Sequence, residues 1–153
     1  MKPTIIKKDT LFITGLSGDG NQTGRVWEDF ESAYIAKPFP KAEEHGYEIR
    51  FYDGEKPAQR GQDIHVGFLT DNAGNHGGFA TIILPAAMYA VFDIHVAKGY
   101  DSGNAMMDKW LEDNASSYKQ LLMDGVGYVV ECYNEKFDQS DSIVEIWIPV
   151  EKA

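Results

Sequence analysis

Cysteine occurs once in the 153 residues, at Cys132, so no disulfide can form within the chain. Long apolar runs are missing as well. The opening stretch, Met-Lys-Pro-Thr-Ile-Ile-Lys-Lys-Asp, carries neither the apolar region of a signal peptide nor a bilayer span, and a cytoplasmic protein is expected. Positive charge is scarce: 14 Lys and Arg stand against 24 Asp and Glu, a formal net charge of −10. Such a chain is not expected to bind DNA or RNA. It suits basic partners or cationic ligands. His45, His65, His76 and His95 lack the tight spacing of metal ligands, and neither a metal nor another cofactor is expected.

The clearest positive signal is C-terminal. Tyr128 to Asn134 and Ile143 to Val150 alternate in polarity and are joined by a polar turn from Glu135 to Ser142, the pattern of a β-hairpin. In the second segment Val144, Ile146, Ile148 and Val150 share one face; Ile143, Glu145, Trp147 and Pro149 share the other. In the first, Glu131 and Tyr133 lie on one face and Val130 and Cys132 on the other. A carboxylate beside large aromatics has two readings. It is an ordinary solvated sheet face, or an acidic pocket in which rings and a carboxylate receive a flat or cationic ligand.

The rest of the chain reads as alternating elements. Leu11 to Leu16 is a strand, and the Gly-rich stretch Gly15 to Gly20 is a connection. That stretch lacks the Lys-Ser/Thr ending of a phosphate loop and the dinucleotide glycine spacing. Thr23 is placed to cap a helix to about Ala36, with Val26, Trp27, Phe30, Ala33 and Tyr34 at helical spacing. Tyr47 to Tyr52 and Ile64 to Thr70 are strands separated by a polar loop from Asp53 to Gln62. Asp71 to Gly78 is a link. Phe79 to Leu84 and Met88 to His95 are strands around a bend at Pro85. Ser102 is placed to cap a second helix to about Ser116, whose packing Tyr118, Leu121 and Leu122 extend. The two halves, about 9–71 and 79–150, rhyme as strand, helix, strand, strand. The expectation is one α+β domain of two pseudo-symmetric modules, an antiparallel sheet with both helices on one face and a ligand cleft on the other.

Three segments carry a family resemblance. Pro85-Ala86-Ala87-Met88-Tyr89-Ala90-Val91-Phe92 is similar to Pro-x-Gly-x-Tyr-Ala-Val-Phe, Glu131-Cys132-Tyr133 to Glu-x-Tyr, and Ile143 to Val150 to a closing acidic, aliphatic Pro-Val strand. The chain resembles the GyrI-like effector-binding domains of multidrug-responsive bacterial transcription activators, here as a free-standing member without a helix-turn-helix pattern. The match is close in the second half and follows only the order of elements in the first. Ala87 stands where that family usually has Gly, which alters a bend and not the chemistry.

The resemblance implies a cleft that binds lipophilic, often cationic, aromatic compounds over a buried glutamate. By motif that glutamate is Glu131, with Tyr133 beside it. Trp147, Tyr89 and Tyr52 are the candidate walls, and Glu145 is a candidate second carboxylate if it faces the same way as Glu131. Pairing with Arg50 or a lysine is its alternative. Drug or effector sensing or sequestration is the function implied, with a possible tie to transcription regulation. Two alternatives stay open. One is a small hydrolase of reactive electrophiles using Glu131. The other is a protein-interaction module with a transcription factor or gyrase as partner.

Overall fold

A computed structural model describes residues 2–53, 56–57, 62–74, 76–138 and 142–153. Most of the polar loop expected between Asp53 and Gln62, and part of the turn expected from Glu135 to Ser142, lie outside the described residues. The strands are β1 (Thr4–Lys8), β2 (Leu11–Gly18), β3 (Gly46–Asp53), β4 (Lys56–Pro57), β5 (Ile64–Thr70), β6 (Ala80–Leu84), β7 (Ala87–His95), β8 (Tyr118–Gln120), β9 (Gly127–Tyr133) and β10 (Ile143–Lys152). The helices are α1 (Thr23–Ala36) and α2 (Tyr100–Asp113), each preceded by a single 3₁₀ turn. The α+β class, with an antiparallel sheet and two helices, is the one the sequence implies.

The strand order is β1-β7-β10-β9-β3-β5-β2-β6, with β4 on β3 and β8 on β10. Read from the middle outwards, β9 and β3 occupy matching places, as do β10 and β5, β7 and β2, and β1 and β6. Each half therefore contributes strand, helix, strand, strand. The strand preceding each half crosses to the outer edge of the other: β1 pairs with β7, and β6 with β2. The pseudo-twofold passes between β3 and β9, where Glu48 stands opposite Glu131.

Three apolar clusters follow from strand parity. On one face, Val144, Ile146, Ile148 and Val150 of β10 pack with Ala90, Phe92 and Ile94 of β7 under Met107 and Trp110 of α2. Ile64 and Val66 of β5 pack under Val26 and Phe30 of α1. On the opposite face, Leu11 and Ile13 near one end of the strand order pack with Tyr89, Trp147 and Ile6 near the other. Residues of strands that far apart share one buried cluster because the right-handed twist curls the sheet. Gly15 and Gly67 face each other where β2 crosses β5. A Cβ on either would strike the carbonyl of Val66 or Thr14. Gly15 to Gly18 are thus strand residues, and the connection to α1 is shorter than the sequence suggested.

Three local expectations shift. Thr4–Lys8 forms an edge strand although no strand was expected before Leu11; its two lysines, Lys7 and Lys8, dilute the apolar signal. Thr23 is the first residue of α1 instead of its cap. Helix α2 opens at Tyr100, not at Ser102, and ends at Asp113, where Asn114 bonds back to the Trp110 carbonyl. Tyr118 then enters a strand on β10 and stacks on Trp110, extending the packing of α2 as expected.

Candidate functional site

Hairpin register decides which side chains meet. Ile146 pairs with Glu131, Trp147 with Val130, and Glu145 with Cys132. Paired residues share a face, so Glu131 and Tyr133 lie on the helix side with Ile146, while Trp147 and Glu145 lie on the inner side of the curl. This corrects the expectation that Glu131 shares a cleft face with Trp147 and Glu145, opposite the helices. A register one residue different would have put them together.

On the helix side β3 supplies Glu48, Arg50 and Tyr52, and β9 supplies Glu131 and Tyr133. Glu48 is 1% exposed and Glu131 6%. Two carboxylates so deeply buried require donors, and each oxygen has one. Trp27 Nε1 of α1 donates to Glu48 Oε1 at 2.8 Å. Tyr133 Oη donates to Glu131 Oε1 at 2.9 Å. Arg50 Nε is shared by Glu48 Oε2 at 2.7 Å and Glu131 Oε2 at 3.0 Å. Arg50 Nη2 donates to Thr23 Oγ1 at 2.9 Å, tying the cluster to the start of α1. Gly46 opens the space for the indole: a Cβ there would come within 3.0 Å of the Trp27 ring. Trp27 meets the Tyr133 ring edge to face at 5.8 Å, and Phe137 meets it at 5.0 Å. Tyr100, the first residue of α2, lies near enough to the cluster that the charge of Glu131 adds to burial in raising its hydroxyl.

The electrostatics follow from this packing. Burial, with the charge of Glu48 next, pushes the Glu131 carboxyl up to about 7. Arg50 and the Tyr133 hydroxyl pull the other way without prevailing. Burial raises the Tyr133 hydroxyl, and the charges of Glu131 and Glu48 add to it. Burial also raises Tyr52 against the pull of Arg50. For Arg50 burial works downward, but the two carboxylates outweigh it.

The other candidates stand elsewhere. Trp147 and Tyr89 are 4% and 0% exposed inside the curl, with ring centroids 5.6 Å apart. Tyr89 Oη and Tyr128 Oη are 3.2 Å apart. Glu145 accepts from Lys136 Nζ at 2.9 Å and Trp147 Nε1 at 3.0 Å. Burial opposes its ionisation, but these bonds hold it below the usual carboxylate range. Its partner is a lysine and not Arg50. A groove of about 460 Å³ runs beside it, lined in part by Asp93, His95 and Lys136. Cys132 is buried next to Tyr47, and burial pushes its thiol up to about 12. His65 is fully buried between Ser17 and the Ile13 carbonyl. Among the described residues no cluster of His, Cys, Asp or Glu is placed to hold a metal, and no helix is long and apolar enough to cross a membrane.

Glu48 and Tyr100 were not singled out from the sequence, and its pattern makes Thr23, Trp27 and Arg50 a helix cap, a helix-stripe residue and a candidate partner of Glu145, not members of this cluster. The available signal was the rhyme of the halves: a glutamate midway along β3 matching Glu131 midway along β9.

The cluster is a buried acidic pair with aromatic neighbours, on the helix side of a curled antiparallel sheet. The chain belongs to the family of integron-associated effector binding proteins, Cass2, whose model matches residues 4–150. No curated protein matches it. Among solved structures it is similar to SAV2435 bound to tetraphenylphosphonium, at 14% identity and TM-score 0.65, covering 99% of this chain and 94% of that one. The C-terminal domain of EcmrR is similar at 14% identity and TM-score 0.63, covering 99% and 98%. EcmrR in a complex with DNA is similar at 16% identity and TM-score 0.67, but this chain spans only 58% of that chain. At such identities these likenesses show the fold.

Proposed function

We propose that this chain binds small lipophilic cations and aromatic compounds on the helix side of the sheet, against Glu131 and Glu48, and serves to sense or sequester them. The observation that carries this reading is the acidic pair itself. With Glu131 ionised, two carboxylates and one guanidinium leave one uncompensated negative charge in a buried, aromatic setting, where a cation is attracted both by charge and by ring faces. Trp27, Tyr133, Tyr52 and Tyr100 supply those rings. The tetraphenylphosphonium held by SAV2435 within the same fold supports this ligand class. The DNA complex of EcmrR supports transcription regulation as the wider setting. A cytoplasmic location belongs to the same proposal.

The test is a calorimetric titration with tetraphenylphosphonium. Saturable micromolar binding that weakens on the order of ten-fold in Glu131→Gln, the loss of one nearby charge, supports the reading. Absence of saturation, or binding indifferent to both Glu131→Gln and Glu48→Gln, counts against it.

One observation favours a second reading. A carboxyl raised to about 7 beside a tyrosine hydroxyl is suited to general acid–base work at neutral pH, as in hydrolysis of a reactive electrophile. Turnover of an activated electrophile that disappears in Glu131→Gln would favour the hydrolase over the binder.

A further inference from the structure

We propose that Arg50 sets the charge preference of this site: its guanidinium is a resident counter-ion that an incoming ligand cation has to displace or share. The inference rests on the binding site proposed above and adds the residue that controls its selectivity.

Arg50 occupies the place a ligand cation would seek. Its Nε lies between Glu48 Oε2 and Glu131 Oε2, and its Nη2 is anchored on Thr23 Oγ1. The two remaining carboxylate oxygens are taken by Trp27 and Tyr133. The empty site is therefore satisfied from within, and a bare cation entering it meets a fixed positive charge before it meets a free carboxylate. Two unit charges about 6 Å apart, at the effective dielectric of a partly buried site, repel strongly enough to change affinity by up to about a hundred-fold. Because the Arg50 side chain is 28% exposed, solvent screens part of this, and ten- to a hundred-fold is the expected range. The same exposure lets the guanidinium move outward when a ligand arrives. Thr23 is the tether that resists this movement. A neutral ligand of the same shape pays no charge penalty, so Arg50 narrows the gap between cationic and neutral ligands that the acidic pair alone would open.

The test is calorimetry at several pH values from about 8 to 10, because loss of Arg50 raises Glu131 further, and affinities are compared where they no longer change with pH. The probes are tetraphenylphosphonium and the neutral triphenylphosphine oxide. Arg50→Gln should bind the cation about ten- to a hundred-fold more tightly than wild type. Arg50→Lys, which keeps the charge, should stay near wild type. The neutral probe should change by less than about three-fold in all three proteins, as expected if the cleft is intact and charge alone has changed. Thr23→Ala keeps both carboxylates and Arg50 and loosens the tether, along with the bond from the Thr23 hydroxyl to the Gly20 carbonyl at the start of α1. It should gain several-fold for the cation, and it decides the matter if Arg50→Gln loses the neutral probe through misfolding. Cation affinity no higher than wild type in Arg50→Gln, with neutral binding preserved, overturns the role of Arg50 and leaves the binding site standing. The same result in Thr23→Ala does so where Arg50→Gln misfolds. Failure of wild type to bind either probe overturns both.

Discussion

Glu48 and Glu131 stand opposite each other on neighbouring strands, a juxtaposition that buried like charges tolerate only with strong donors around them. Trp27 is one of those donors. Trp27→Phe keeps the ring edge against Tyr133 but leaves Glu48 Oε1 without its bond, and it should cost about 1–3 kcal/mol, read from urea unfolding. Glu131 makes a second prediction through pH. Its carboxyl rises from an ordinary 4.5 to about 7 in the folded chain, so the folded state holds the proton over that interval and the unfolded state releases it. The contribution to stability is fully present below pH 4.5 and is lost as pH rises through 7. Glu131→Gln removes this dependence. The stability of the variant minus that of wild type should therefore climb with pH across the interval, by on the order of 3 kcal/mol. A flat difference in denaturant titrations would show that Glu131 is not held neutral by its surroundings.

At the scale of elements, the sequence showed most strands and both helices, because alternation and helical spacing are local properties of the chain. Ile64–Thr70 and the break at Pro85 are where the pattern put them. Register was not legible. It is set by the hairpin between β9 and β10 and by the meeting of β3 with β9 across the pseudo-twofold, and both are long-range. Parity within each strand was read correctly, so Glu131 with Tyr133 and Glu145 with Trp147 were each sound pairs. The offset between strands placed the two pairs on opposite faces. Glu48 and Arg50 share one face of β3 by the parity of the strand, but their meeting with Glu131 depends on a pairing no local pattern encodes. The crossing of β2 and β5 gives a prediction at this scale. Gly67→Ala places a methyl group against the Thr14 carbonyl, and neither strand is free to shift because each is hydrogen-bonded on both sides. A loss of more than about 2 kcal/mol is expected, measured by urea unfolding. Wild-type stability in this variant would show that the crossing can open.

For the whole molecule, the near-palindromic strand order explains why the site lies where it does. A pseudo-twofold between β3 and β9 brings one glutamate from each half to a common point, with α1 and α2 approaching from either side through Trp27 and Tyr100. The acidic surplus of the chain, −10 in formal charge, adds a weak, salt-screened attraction for cations. Binding of a cation should also be linked to protons. It favours ionised Glu131, so affinity for tetraphenylphosphonium should rise between pH 6 and pH 8, across the raised value of about 7, while a neutral analogue binds equally at both. The most direct measurement is a crystal structure of the chain with tetraphenylphosphonium. The cation is expected on the helix side between α1 and α2, against Glu131, Tyr133 and Trp27, with Arg50 moved outward. A cation lodged instead in the groove beside Glu145 and Lys136, with the Glu48–Arg50–Glu131 cluster undisturbed, would contradict the assignment of the site.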